Sequence, residues 1–207
     1  MKPEITYSTK QGLPDVLIIG DSISIGYTSY VKMILKGKAN VLLPNENCQG
    51  TSMGVAKIHE WLGSVHWDII HFNFGLHDVK HVHPITGEQS TNPNDPLQAD
   101  IKKYVNNLKF IIKRMKATGA MLIFATTTPV PPGNTSPLRD PGIEIKYNKA
   151  ALKLCKKFKI VVNDMHAFSL PILKEIQLPE NVHFTHEGSK VLAEKVAESI
   201  LQALLNK

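Results

Sequence analysis

One hydroxyl and one imidazole carry the first chemical signal in this chain. Ser22 follows directly on an apolar run, DVLIIG, at 15–20. His183 lies in the segment Glu180-Asn181-Val182-His183-Phe184-Thr185-His186-Glu187-Gly188. A serine hydroxyl is a weak nucleophile until a neighbouring base takes its proton. A carboxylate three residues before a histidine can fold back in a turn and hold the ring Nδ1–H, which leaves Nε2 free as that base. Ser22, His183 and Glu180 therefore make a candidate set for acyl transfer. Ser22 also admits a second reading, as the N-cap that satisfies a backbone N–H where the first helix opens.

Other histidines invite a metal. His77, His81 and His83 are closely spaced, as are His183 and His186. A hydrolytic zinc site combines three protein ligands with an open position. The serine reading uses the same residues better, so no metal and no cofactor is expected. His81 and His83 are placed in a polar loop, solvated or facing substrate. No GxGxxG, GxxxxGK[ST] or HExxH occurs, which removes support for dinucleotide, P-loop and zincin sites. Gly20-Asp21-Ser22-Ile23-Ser24 lacks the final glycine of a G-x-S-x-G elbow, which argues against an ordinary α/β-hydrolase.

These residues need a scaffold. Apolar runs at 15–20, 39–43, 68–74, 120–125 and 160–162 read as strands apolar on both faces, which belong in a sheet covered on both sides. Helices are expected over 27–35, 53–62, 144–158 and from 188 to about 205. The clearest has Leu97, Ile101, Tyr104, Val105, Leu108, Ile111, Ile112 and Met115 at helical spacing. It ends at Gly119, a C-terminal cap. Strict strand–helix alternation predicts one α/β domain over 1–207, with a parallel sheet between two helical layers and a polar N-terminal arm at 1–14. Ligands in such sheets bind beyond the carboxyl ends of the strands. Two long irregular stretches, 79–96 and 127–142, fall there, and loops of that length are usually functional.

The chain has 207 residues, with 24 Lys and Arg against 18 Asp and Glu. Gly and Pro number 13 each, an ordinary share that excludes a collagen-like or low-complexity chain. Cys48 and Cys155 are too few for a disulfide scaffold and are expected as buried thiols. Trp61 and Trp67 are expected to pack helices on the sheet. No apolar run approaches the ~18 residues of a membrane span, so no membrane partner is expected. The lysines are spread out, and the densest group, Lys156, Lys157 and Lys159, has no interleaved aromatic platform. Nucleic acid is therefore not an expected partner. No leader is readable at the N-terminus, which places the chain in the cytoplasm by default and outside it if a leader has been removed.

Taken together, four blocks make the sequence resemble the SGNH, or GDSL-type, hydrolase superfamily. They are Gly20-Asp21-Ser22-Ile23-Ser24, Gly50 within Cys48-Gln49-Gly50-Thr51, Gly75-Leu76-His77-Asp78, and Glu180-Asn181-Val182-His183. The resemblance implies a flavodoxin-like three-layer αβα sandwich with a five-stranded parallel sheet. It implies a serine esterase acting through an acyl-enzyme, on small acyl esters and on O-acetylated carbohydrate first. Ser22 becomes the nucleophile, and the N–H groups of Ser22 and Gly50 bind the oxyanion.

Two positions depart from the family pattern. His77 stands where the family has an asparagine donor, and one imidazole N–H could do that work. Glu180 stands where the family has aspartate, with Asp164 or a backbone carbonyl as alternatives for holding His183. Asp21, Asp78 and Arg139 are further candidates for contact with substrate, Arg139 through a carboxylate on an acidic sugar unless it is merely solvated. The polar residues Thr127, Thr128 and Asn134 rim the second long loop, which suits a sugar better than a lipid. A thioesterase, a lysophospholipase, a catalytically weak carbohydrate-binding relative and a flavodoxin-like binding module are the rival readings.

Overall fold

The computed structural model describes residues 7, 9–133 and 135–206. Asn134, most of the first eight residues of the N-terminal arm, and Lys207 lie outside the described residues. The elements run β1 (Asp15–Ile19), α1 (Ser22–Ile34), β2 (Asn40–Leu42), α2 (Thr51–Leu62), β3 (Ile69–Phe72), α3 (Ile101–Lys116), β4 (Met121–Ala125), α4 (Ile143–Phe158) and β5 (Val161–Asn163). Two short helices, α5 (Met165–Ser169) and α6 (Leu173–Ile176), are joined by a 3-10 turn, and α7 (His186–Leu205) closes the chain.

All five strands are parallel, in the order β2-β1-β3-β4-β5. Alternation along each strand feeds two cores. Leu17, Ile19, Ile70, Phe72, Leu122 and Phe124 meet α2, α3 and α4 on one face. Val16, Ile18, Ile69, Ile123 and Ala125 meet α1, α5 and α7 on the other. Trp61 and Trp67 are fully buried in the first core, and both cysteines are buried free thiols.

The order reverses at β1, which lies between β2 and β3. A crevice at the carboxyl ends of the strands is a consequence of that reversal. The loops leaving β1, β2 and β3, and the approach to α7, all converge there.

The expected strands are present within one or two residues. α1 starts five residues before the expected helix, because Asp21 caps it. The short helices between Met165 and Ile176 lie where no periodic stretch is long enough to read and Pro171 interrupts the pattern.

The approach to α7 is fixed by direct backbone packing. Thr185 caps the helix, its hydroxyl accepting from the Gly188 N–H at 2.9 Å. The Ile176 carbonyl accepts from the Thr185 N–H at 2.8 Å. A Cβ added at Gly188 would fall 2.1 Å from that same carbonyl oxygen. Helix propensity alone makes Gly188→Ala stabilising by ~1 kcal/mol. The packing reverses the sign: Gly188→Ala is expected to destabilise by about 1–3 kcal/mol, read as a lower Tm in thermal unfolding. A higher Tm would show that the Ile176 carbonyl yields.

Candidate active site

β1 delivers Ser22 to the crevice. The chain leaves Ile19, and Asp21 adopts an extended conformation in which its Oδ1 accepts from the Ile23 N–H at 3.0 Å. Asp21, not Ser22, is therefore the N-cap, and the serine hydroxyl is left free for other work. Ser22 Oγ lies 2.9 Å from His183 Nε2, across 161 positions of sequence. As the first helical residue, Ser22 also presents a backbone N–H with no intrahelical partner.

The segment carrying His183 is tied down on several sides. The Leu178 N–H donates to the His183 carbonyl at 3.0 Å, and Gln177 Nε2 donates to the Pro129 carbonyl at 3.1 Å. Within this turn Asn181 Oδ1 accepts from the His183 backbone N–H at 3.0 Å and lies 2.7 Å from His183 Nδ1. A backbone N–H can only donate, so the atom it meets is the amide oxygen. That oxygen can meet Nδ1 favourably only if Nδ1 carries the proton. Nε2 is then the bare nitrogen, and it is the one facing Ser22.

Glu180 does not take the place expected of it. It is exposed, with a left-handed backbone (φ 49°) and its carboxylate over Gly133. Asp164 is engaged elsewhere, its Oδ1 accepting from the Thr126 hydroxyl and the Ala167 N–H. The group that meets His183 Nδ1 is the neutral side chain of Asn181, and a neutral amide beside a carboxylate gives no charge signal in the sequence.

Gly50 caps α2, so the positive end of that helix borders the crevice. A Cβ there would lie 2.8 Å from Gln98 Nε2 and 3.1 Å from Asp78 Oδ2. Asp78 accepts from the Thr51 N–H at 3.0 Å and from the Thr51 hydroxyl. It is 0% exposed, and burial pushes its carboxyl up to about 6. It binds the Gly50 block to the Gly75 block and does not face substrate. Asp21 is buried as well, pushed up to about 6 by the same cause, with Oδ2 lacking a partner.

Arg139 departs from both expectations, being neither solvated nor open to an acidic sugar. It is 4% exposed. Nε donates to the Leu76 carbonyl at 2.7 Å and Nη1 to the Pro137 carbonyl at 3.2 Å. Its guanidinium thus fixes the peptide that precedes His77. Burial holds His77 down to about 3, and the charges of Lys80 and Arg139 add to the effect. The ring is therefore neutral at ordinary pH and has one N–H. Its Nδ1 is buried without a partner, so the arrangement that orphans no donor puts the hydrogen on Nε2.

A small apolar cluster holds these parts in register. Leu76, Val130 and Val182 pack together, with Ile23 and Ile143 against them. Ile23, Leu76 and Val182 are the immediate chain neighbours of Ser22, His77 and His183. His81 is also buried, contrary to the solvated or substrate-facing placement, with Nδ1 at 2.6 Å from the Asp95 carbonyl. His83 is exposed. Among the described residues no group of three or more His, Cys, Asp or Glu could hold a metal ion.

A hydroxyl joined to a correctly protonated imidazole, beside two helix N-termini and a neutral ring donor, is an arrangement suited to acyl transfer. A family model, the GDSL-like Lipase/Acylhydrolase family, matches residues 18–191. The chain belongs to this family. It is a carboxylic ester hydrolase with the SGNH fold.

Solved structures with the same fold include a lipase/acylhydrolase from Enterococcus faecalis, with a TM-score of 0.72 at 17% identity over 91% of this chain and 95% of that one. The acetyl xylan esterase AlAXEase gives 0.70 at 15% identity over 90% and 99%. Axe2, an acetylxylan esterase from Geobacillus stearothermophilus, gives 0.71 at 16% over 90% and 94%. The curated protein sequences contain no match.

Two pairs of substitutions test these assignments on a p-nitrophenyl acetate assay. Asn181→Ala should lower kcat about 10²-fold or more, since loss of imidazole orientation is costly in serine hydrolases, while Glu180→Gln should stay within twofold. The reverse ranking would return the orienting role to Glu180. His77→Ala should lower kcat roughly 10²–10³-fold, as for loss of an oxyanion donor, and His77→Asn should recover most of it. Equal loss in both would remove His77 from the oxyanion site.

Proposed function

We propose that this esterase hydrolyses small acyl esters, first among them O-acetyl groups on carbohydrate, with Ser22 as nucleophile. The reading rests on the 2.9 Å contact between Ser22 Oγ and His183 Nε2. Nε2 takes the hydroxyl proton as Oγ bonds to the ester carbonyl carbon. The oxyanion is met by the N–H groups of Ser22 and Gly50 and by the His77 ring. As the tetrahedral species collapses, the protonated His183 returns its proton to the departing alcohol oxygen and the C–O bond breaks. Water then attacks the acyl-serine, giving its proton to the same Nε2, and Ser22 leaves with that proton.

Asn181 keeps Nδ1 protonated throughout. Being neutral, it offers the imidazolium less stabilisation than a carboxylate would. His183 is held below its ordinary value by burial first and by the Arg139 charge second. Both effects keep the base free at mildly acidic pH.

The carbohydrate preference is supported by the polar, exposed loop around His83, Gln89, Asn92 and Asn94. Two of the similar folds are named as acetyl xylan esterases, which agrees with it. A second reading has one observation in its favour. A groove of about 300 Å³ beside the His183 turn is walled by Pro131, Pro132, Leu173, Leu178 and Pro179. That lining suits a longer acyl chain.

The deciding experiment is fluorophosphonate labelling followed by a panel of acetylated xylo-oligosaccharides and of acetyl and octanoyl p-nitrophenyl esters. Ser22 should carry the mass shift, Ser22→Ala should abolish turnover, and acetyl esters should be preferred. The acidic limb of kcat/KM should fall below the ordinary histidine value of ~6.5. Label on another residue would remove Ser22 from the mechanism, and octanoyl preference would favour the longer-chain reading.

A further inference from the structure

The charge of this protein is sorted by element. The chain has 24 cationic and 18 acidic side chains. Helices α3 and α4 hold eleven of the cations and a single acid, Glu144. The remainder, thirteen against seventeen, is net acidic. Glu144 is itself buried, 3.2 Å from His166 Nε2, so it neutralises nothing on the surface.

The contrast with α7 is sharp. There Lys190 pairs with Glu187 and Lys195 with Glu198. None of the ion pairs among the described residues engages a lysine of α3 or α4. Two acids stand at the helix starts, and the buried Asp78 feels the charge of Lys103. Asp100 caps α3, and Asp140 lies against His81. Mixed signs are what a solvated surface ordinarily carries, whereas a single-sign face creates a directed field.

The cations also have a geometry. Lys146, Lys149, Lys153 and Lys156 follow one another at helical spacing along α4, and Lys109, Lys113 and Lys116 do so along α3. At 1.5 Å per residue, neighbours in a stripe rise by ~5 Å, close to the length of one sugar unit. The two helices pack side by side in one layer. A groove of about 530 Å³ lies along α4, lined by Ile145, Lys146, Lys149 and Lys153 with Ile101 at the start of α3. It starts near the crevice, since Ile143 at the head of α4 packs on the Leu76–Val182 cluster.

The geometry points to this α3–α4 face as a binding surface for an acidic polysaccharide, a chain bearing one carboxylate per sugar. The partner's chemistry follows from what the face has and lacks. Ten of its eleven cations are lysine, point charges that each pair with one anionic group, and their rise along α4 matches one carboxylate per sugar. It offers no exposed aromatic on which bases could stack. Tyr104 and Tyr147 are buried, and Phe110 is partly buried with the Arg114 guanidinium 5.0 Å from its ring. Ile145 is the only large apolar side chain exposed on the two helices, too little to anchor in a bilayer. The link to catalysis, an acylated acidic polymer held beside Ser22, rests on the esterase reading above. The binding surface itself does not.

Binding of the full chain to polygalacturonate is measured by titration calorimetry from 20 to 200 mM NaCl. Neutral xylan, oligo-dT and phosphatidylserine-rich vesicles serve as comparators. Polygalacturonate should bind at low salt and weaken steeply as salt rises, with no binding to xylan. Lys146→Glu/Lys149→Glu/Lys153→Glu should weaken it at least tenfold, and the glutamine version at least threefold. Both should leave p-nitrophenyl acetate hydrolysis unchanged, and Lys190→Glu/Lys195→Glu on α7 should change neither. No binding at 20 mM NaCl, equal loss from the α7 variant, or tighter binding of oligo-dT or vesicles would overturn the proposal. Failure of Ser22 labelling with polygalacturonate binding intact would sink the esterase assignment and leave this surface standing.

Discussion

An imidazole can take a proton from a serine only if its far nitrogen already carries one. Everything in this crevice depends on that condition. The Asn181 amide meets it by accepting from the His183 backbone and ring together, so the backbone N–H dictates which end of the amide faces the histidine. A carboxylate would satisfy the same geometry and add charge. Here the tautomer is set without the cost of keeping an anion in a partly desolvated turn.

Holding the tautomer is useful only if the ring also reaches the hydroxyl. That distance is governed by packing rather than by polar contacts. Ser22, His77 and His183 come from three separate segments, and each has an apolar neighbour in one small cluster. Interiors pack densely and give little, so these neighbours transmit position from β1, the β3 loop and the α7 approach to one another. Asp78 does comparable work through hydrogen bonds, tying Thr51 to the Gly75 block. Arg139 completes the support by gripping the Leu76 carbonyl.

Much of this was legible in the amino-acid order. β1 and β4 are continuous apolar runs because both faces of the sheet are covered there, whereas Val161 and Val162 of the edge strand β5 are exposed, and α3 shows its spacing plainly because only one side of it is buried. The two residues that meet at 2.9 Å, Ser22 and His183, were legible too, since each lies in a recognisable block. What escaped did so for physical reasons. Asn181 lies next to a carboxylate that a charge-based search prefers, and only the turn's conformation says which side chain folds back. Arg139 and His81 are polar residues of the kind usually found in water, and their burial depends on carbonyls supplied by distant loops. The segregation of lysines into one layer is invisible until α3 and α4 are known to be neighbours.

The burial of the two cysteines has a chemical consequence. Burial pushes both thiols up to about 12, and thiolate is the reactive form. At neutral pH almost none is present, and neither sulfur is offered to an oxidant. Its cysteines are therefore indifferent to redox conditions: there is no bridge to lose in a reducing medium and no accessible thiol to damage in an oxidising one.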